Sequence, residues 1–326
     1  MKLFILSVII SISLTVILGV ITIPLLRKLK LGQTVLKYVE THKEKNGTPT
    51  MGGLFFIIPS VVVFFILGGR GRISVVSLSL GLAFMVVGFL DDFIKIKFRQ
   101  NEGLKPYQKI IFQLTISVLA GIFCYVNGIT IFYIPFVNTT VDLGWFTILF
   151  VAIIFIAITN SVNLTDGLDG LSAGVSASYL LSLIALCTVQ LSVYGRLYIQ
   201  VEEYQNAILL CCALVGGILG FLIFNTSKAK VFMGDTGSLS LGGFIGALTV
   251  FTSNAFYMPI LGLCFVASSV SVIIQVLHFK RTKKRIFLMA PLHHHFQMKG
   301  YTESQISYVY CLITVIMGAC SIISYF

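Results

Sequence analysis

The sequence predicts an all-α polytopic membrane protein with about ten transmembrane helices, and three observations carry that prediction. Hydrophobic residues make up 57% of its 326 residues and charged residues only 11%, against about 25% charged in an ordinary soluble domain. Apolar runs of about 20 residues, the length that crosses a ~30 Å hydrocarbon core, recur along the whole chain. What remains is too little polar sequence to cover such a core in water. Residues 1–326 therefore read as a single integral membrane domain, with no soluble domain, low-complexity tract or internal repeat.

Taken in order, the hydrophobic segments lie at 3–26, 50–68, 73–91, 110–127, 145–160, 170–190, 206–224, 237–253, 257–278 and 304–325. The first is too long for a signal peptide, lacks a small-residue cleavage pattern and ends in Arg27-Lys28-Leu29-Lys30, so it reads as a retained helix. The second opens after Thr48-Pro49, which suits a proline in the first turn with Thr48 as its cap. The third runs into Asp91-Asp92, and the fourth follows Lys105 and Lys109. The fifth is the short one and the eighth the glycine-rich one, so these two carry the weakest helical signal. The ninth runs into a basic stretch, and the tenth closes the chain.

Charge fixes the expected orientation. Lys and Arg number 19 in the loops after the odd-numbered segments and 4 on the other side. Cationic residues collect in cytoplasmic loops, so those loops are expected in the cytoplasm and both termini outside it. The net charge of +11 then needs no nucleic-acid partner; it suits the inner surface of a membrane with anionic lipids or phosphorylated substrates. The seven cysteines form no CxxC pair and sit in apolar segments, where they read as small core residues.

The unusual polar residues fall in the same loops, although only Lys and Arg entered the count. Asp91-Asp92 sits at the inner end of the third segment. Acids there are costly within a membrane, and a pair of them suits a divalent cation or a proton acceptor. The stretch Asn160-Ser161-Val162-Asn163-Leu164-Thr165-Asp166-Gly167-Leu168-Asp169-Gly170 holds two Asn and two Asp with no basic neighbour. Asp166 and Asp169 would share a face if a helix began there. Asn225 and then Phe232-Met233-Gly234-Asp235-Thr236-Gly237-Ser238 precede the eighth segment, whose start favours an anion. Asp235 reads either as a plain helix cap or as a metal ligand that relieves the Asp91-Asp92 repulsion through a shared cation. Between residues 279 and 303 a basic run, Lys280 to Arg285, leads into Pro291-Leu292-His293-His294-His295-Phe296. Adjacent histidines cannot all face one ion, so phosphate hydrogen bonding or support of the loop is the expected role. Lys45-Asn46-Gly47-Thr48-Pro49-Thr50-Met51-Gly52-Gly53 lacks the spacing of a P-loop.

Five of these blocks, GTPTMGG at 47–53, DD at 91–92, NLTDGLDG at 163–170, FMGDTGS at 232–238 and PLHHHF at 291–296, together resemble the polyprenyl-phosphate N-acetylhexosamine-1-phosphate transferase superfamily. GTPTMGG and the three histidines resemble its muramoyl-pentapeptide branch more than its UDP-GlcNAc branch. The resemblance implies transfer of phospho-MurNAc-pentapeptide from UDP-MurNAc-pentapeptide to undecaprenyl phosphate, giving lipid I and UMP, in the first membrane step of peptidoglycan synthesis. It implies a magnesium cofactor and a multi-pass protein of the bacterial inner membrane with a cytoplasmic active site. Membrane lipids and the two substrates are the implied partners; a homodimer is left open. By the same resemblance Asp91, Asp92 and Asp235 form the catalytic acidic centre, with Asp235 the foremost metal ligand. Lys45, Thr48, Lys109, Asn163, Asp166, Asp169, Asn225, Phe232, His293, His294 and His295 would bind substrate, Asp169 and Phe232 near the uracil. The position two before Lys109, often basic in the family, is Tyr107 here. Which of Asp91 and Asp92 acts as base, and whether a covalent intermediate forms, stay open.

Two rivals are carried alongside. A transferase using UDP-GlcNAc would share nearly every residue above. An ion-coupled transporter would place its acids near the bilayer midplane between broken helices, whereas these acids fall at helix ends.

Overall fold

A computed structural model describes residues 2–28, 47–98, 103–137, 139–193, 200–226 and 228–324. The described chain forms α1 (Lys2–Lys28), α2 (Gly53–Ile66), α3 (Arg72–Phe98), α4 (Pro106–Val126), a hairpin of β1 (Ile131–Ile134) and β2 (Thr139–Asp142), α5 (Thr147–Thr165), α6 (Leu171–Val193), α7 (Val201–Asn225), α8 (Gly234–Phe251), α9 (Met258–Leu261), α10 (Leu263–Thr282), α11 (Leu292–Met298) and α12 (Glu303–Ile323).

Each of the ten predicted segments contains a helix. Eight helices, α1, α3, α4, α5 with its preceding turn, α6, α7, α10 and α12, are long and apolar enough to cross a membrane. The expected weak points need one correction. The fifth segment is a full span, Gly144–Thr165, of 22 residues; the short segment is the second, whose α2 has 14. The ninth segment is interrupted: a 3-10 turn at Ala255–Tyr257 and the brief α9 lead through Gly262 into α10.

The core is built around α8, where every residue from Thr236 to Phe251 is buried. Helices α3 and α5 flank it, and α1 lies on α7. The outward faces of α1, α10 and α12 carry exposed Ile9, Ile17, Ile273, Leu277 and Val315, an apolar belt suited to lipid. Close approach of α3 to α8 depends on Gly88, because a Cβ there would collide with the Asp235 carbonyl. At the far end of the bundle the Glu203 carboxylate of α7 accepts the backbone N–H groups of Arg72 and Ile73 at 2.9 and 3.0 Å. It thereby satisfies donors that the start of α3 leaves unpaired. The apolar and aromatic stretch 128–144 holds the β-hairpin, with Ile131 opposite Asp142 and Ile134 opposite Thr139.

Candidate active site

The polar blocks meet at one end of the bundle because helix ends converge there: the last turns of α3, α5 and α7 and the first turns of α4 and α8. Asp91 and Asp92 sit in the last turns of α3 and are 3% and 1% exposed. Asp235 stands in the first turn of α8. The carboxylates of the three come together, with one oxygen from each lying within 4.8 Å of the others.

The two adjacent acids do different work. Asp92 accepts the backbone N–H of Asp235 at 3.2 Å, the N–H of Thr236 at 2.9 Å and the Thr236 hydroxyl at 2.7 Å. The anion expected at the start of α8 is therefore the protein's own, supplied by α3. Asp235 is not the cap of its helix. Its Oδ1 accepts from Asn163 Nδ2 at 2.8 Å, and the same nitrogen reaches Ser238 Oγ at 2.9 Å. Its Oδ2 receives Lys109 Nζ at 2.8 Å and Lys95 Nζ at 3.2 Å. Asp91 accepts the Leu104 N–H on Oδ1 at 2.9 Å and pairs through Oδ2 with Lys95 at 2.6 Å. Three carboxylates are thus set against two ammonium groups.

The NLTDGLDG segment is not a helix start. Helix α5 ends at Thr165 and α6 begins at Leu171, so Asp166 and Asp169 lie in the turn between them and share no helical face. Asp169 Oδ2 accepts the Ala229 N–H at 2.9 Å, and its own N–H donates to Glu303 at 2.8 Å. Asn225 braces the same turn, accepting from Gly170 N–H at 3.0 Å and donating to the Val231 carbonyl at 2.9 Å. Burial, reinforced by Asp235, Asp92 and Asp169, pushes the Asp166 carboxyl up to about 8.

The GTPTMGG block needs a second correction. Thr48 and Pro49 do not cap α2, which starts four residues later at Gly53. The segment instead runs alongside the FMGDTGS block: Phe232 N–H donates to the Pro49 carbonyl at 2.8 Å, Gly52 N–H to the Phe232 carbonyl at 2.9 Å and Gly53 N–H to the Met233 carbonyl at 3.1 Å. Thr48 and Phe232 are half-buried on this seam. Lys45 lies outside the described residues.

The histidines reach the site through α11. His293 is fully buried, and neither ring nitrogen has a hydrogen-bond partner; burial, with the neighbouring His294, pushes it down to about 3. The Nε2 atoms of His293 and His294 face Gly167, where a Cβ would lie 2.5 and 2.8 Å from them. His294 Nδ1 bonds Gln297 at 3.0 Å, and His295 Nδ1 accepts the Leu288 N–H at 3.1 Å. Gln275 of α10 holds the start of this loop, accepting from Ile286 and Phe287 N–H at 3.0 Å each.

Sequence reasoning left out Lys95, Thr50 and Glu303. Lys95 carried a usable signal, since it stands four residues after Asp91 on one helix. Thr50, buried with an unpaired hydroxyl beside Gly234, carried none.

The cluster fits a hard divalent cation, because it offers only carboxylate oxygens at coordinating separations. The family described as Glycosyl transferase family 4 matches residues 74–253. A Phospho-N-acetylmuramoyl-pentapeptide-transferase signature matches residues 45–57. The chain is 41% identical to the Phospho-N-acetylmuramoyl-pentapeptide-transferase of Clostridioides difficile (strain 630), over 98% of this chain and 97% of the relative. It is 41% identical to that of Desulfitobacterium hafniense, over 97% and 95%. It is 40% identical to that of Clostridium novyi, over 97% and 95%.

Proposed function

The chain belongs to the phospho-N-acetylmuramoyl-pentapeptide-transferase family, and from that premise we propose that it transfers phospho-MurNAc-pentapeptide from UDP-MurNAc-pentapeptide to undecaprenyl phosphate. The products are lipid I and UMP. An oxygen of the lipid phosphate bonds to the sugar-bearing phosphorus as the bond from that phosphorus to UMP breaks. The reaction runs at the cytoplasmic edge of the bacterial inner membrane, where the lysine-rich loops gather and a cytosolic nucleotide can meet a membrane-bound lipid.

One observation carries the reading. Asp91, Asp235, Lys109 and Asn163, drawn from four helices, meet in a single cluster at the helix ends. The nucleophile is already anionic at neutral pH, so the hard part is bringing two anions together, and fixed cations and donors perform that task. Asp235 and Asp91, with Asp92 beside them, would hold magnesium, which when bound screens the phosphates and stabilises the departing UMP. Lys109 and Asn163 fix the Asp235 carboxylate from both sides. The turn 166–170, Thr48, Asn225 and Phe232 form the nucleotide side of the site, and Asp169 and Asn225 act by holding that turn. His293 to His295 face it from α11.

The test is release of UMP by the purified protein supplied with both substrates and magnesium. Release is expected with UDP-MurNAc-pentapeptide and not with UDP-GlcNAc. Asp235→Ala is expected to abolish it. Equal turnover of both nucleotides, or full activity in the variant, would overturn the reading.

A further inference from the structure

Four carboxylate oxygens of the acidic cluster are committed to fixed donors. Asp91 Oδ1 takes the Leu104 N–H, Asp92 takes the start of α8 with both oxygens, and Asp235 Oδ1 takes Asn163. That leaves Asp91 Oδ2 and Asp235 Oδ2. Lys95 Nζ bridges these two, at 2.6 and 3.2 Å. Lys109 reaches only one of them. The Lys95 side chain is mostly buried, at 18% exposure, so its ammonium is held by the acids and not by solvent.

We propose that Lys95 is a positioning residue that serves as the resident counter-cation of the acidic cluster, and that a divalent ion binds by displacing its ammonium from between Asp91 and Asp235. This rests on the reading of the cluster as a magnesium site. Without a counter-charge, acids this close repel and splay apart or take up protons. One ammonium between Asp91 and Asp235 keeps them facing each other. The same ammonium opposes an incoming cation, because both need the same two oxygens. Lys95 therefore trades metal affinity for a cluster that stays assembled between turnovers. Lys97 offers a natural comparison: it carries the same charge on the same helix, but points away, 5.9 and 5.8 Å from the Phe93 and Phe98 ring centres.

The test is Mn2+ binding to the purified full-length protein without substrates, read from the loss of the free Mn2+ electron paramagnetic resonance signal. Lys95→Met and Lys95→Gln are expected to bind Mn2+ about tenfold more tightly than the unsubstituted protein, since a competing unit charge is gone. Lys95→Arg keeps a cation in place and is expected to stay near the unsubstituted affinity. Lys97→Met is expected to change it by less than about twofold, because an exposed charge is screened. Tighter binding cannot come from a damaged fold, so the expected result separates displacement from a merely structural role. If the unsubstituted protein binds Mn2+ and neither Lys95 variant binds it more tightly than Lys97→Met does, the displacement proposal fails and the metal assignment stands. If no form withdraws Mn2+ from solution, both fail together.

Discussion

Asn163 Nδ2 sits 2.8 Å from Asp235 Oδ1 and 2.9 Å from Ser238 Oγ, so one amide at the end of α5 sets the direction of the acid at the start of α8. A hydrogen bond to a charged group is worth about 1.5–3 kcal/mol. Asn163→Ala is therefore expected to lower kcat for UMP release by about 10- to 100-fold with little change in Tm. Asn163→Asp, which sets a carboxylate against Asp235, is expected to fall further. An Asn163→Ala enzyme with unchanged kcat would remove Asn163 from the site.

Asp92 holds α3 to α8 through three hydrogen bonds to Asp235 and Thr236. Asp92→Ala leaves buried N–H donors unpaired and is expected to cost about 1–3 kcal/mol of stability. Asp92→Asn, which retains one acceptor, is expected to cost less. Asp235→Ala is expected to lose activity with a smaller fall in Tm than Asp92→Ala, because the Lys109 and Lys95 side chains it strands reach partly to solvent. Thermal unfolding of the three variants in detergent checks the ranking, and equal Tm for Asp92→Ala and the unsubstituted protein would contradict it.

Gly167 is where the α5–α6 turn meets the histidine helix. A methyl group there meets His293 and His294 ring nitrogens at 2.5 and 2.8 Å, inside any normal contact. Gly167→Ala is expected to push α11 off the turn and raise KM for the UDP-sugar more than it lowers Tm. A variant with unchanged kcat and KM would show that α11 yields freely.

His293 gives a pH signature with a definite sign. Burial keeps it neutral in the folded protein down to about 3, whereas in an unfolded chain it takes up a proton below about 6.5. The unfolded state binds more protons across that window, so stability is full above about pH 6.5 and declines as pH falls toward 3. His293→Leu removes this titration. Its Tm is expected to fall less than that of the unsubstituted protein between pH 7 and pH 4.5. Parallel Tm curves would place the ring in contact with water.

Much of this arrangement was legible in one dimension. Span length and apolarity marked every helix except α11, which lies in the loop 279–303; Asp91, Asp92, Asp235 and Asn163 stood out because charged and amide groups are expensive beside a membrane, and Lys109 came from the family resemblance. What was not legible is pairing. Asp92 serves backbone donors more than 140 residues away, and nothing in the pair Asp91-Asp92 tells the two apart. Thr48 resembled a helix cap because Pro49 follows it; the Phe232 and Met233 carbonyls decide where that backbone goes, and they lie far along the chain. Asp166 and Asp169 suggested a helical face by spacing alone, yet the turn is shaped by Asn225, Ala229 and Glu303. Lys95 was counted for its charge and overlooked for its partner.

The burial of α8 bears on how the chain is made. This helix carries an acid in its first turn, is rich in Gly, Ser and Thr, and is not among the eight helices long and apolar enough to cross a membrane. Its first N–H groups find their acceptor on α3, which is synthesised more than a hundred residues earlier. The native hydrogen bonding of α8 is therefore complete only once α3 lies beside it. Substitutions that loosen α3 are then expected to lower the yield of folded chain as well as its activity, seen as faster turnover of newly made protein.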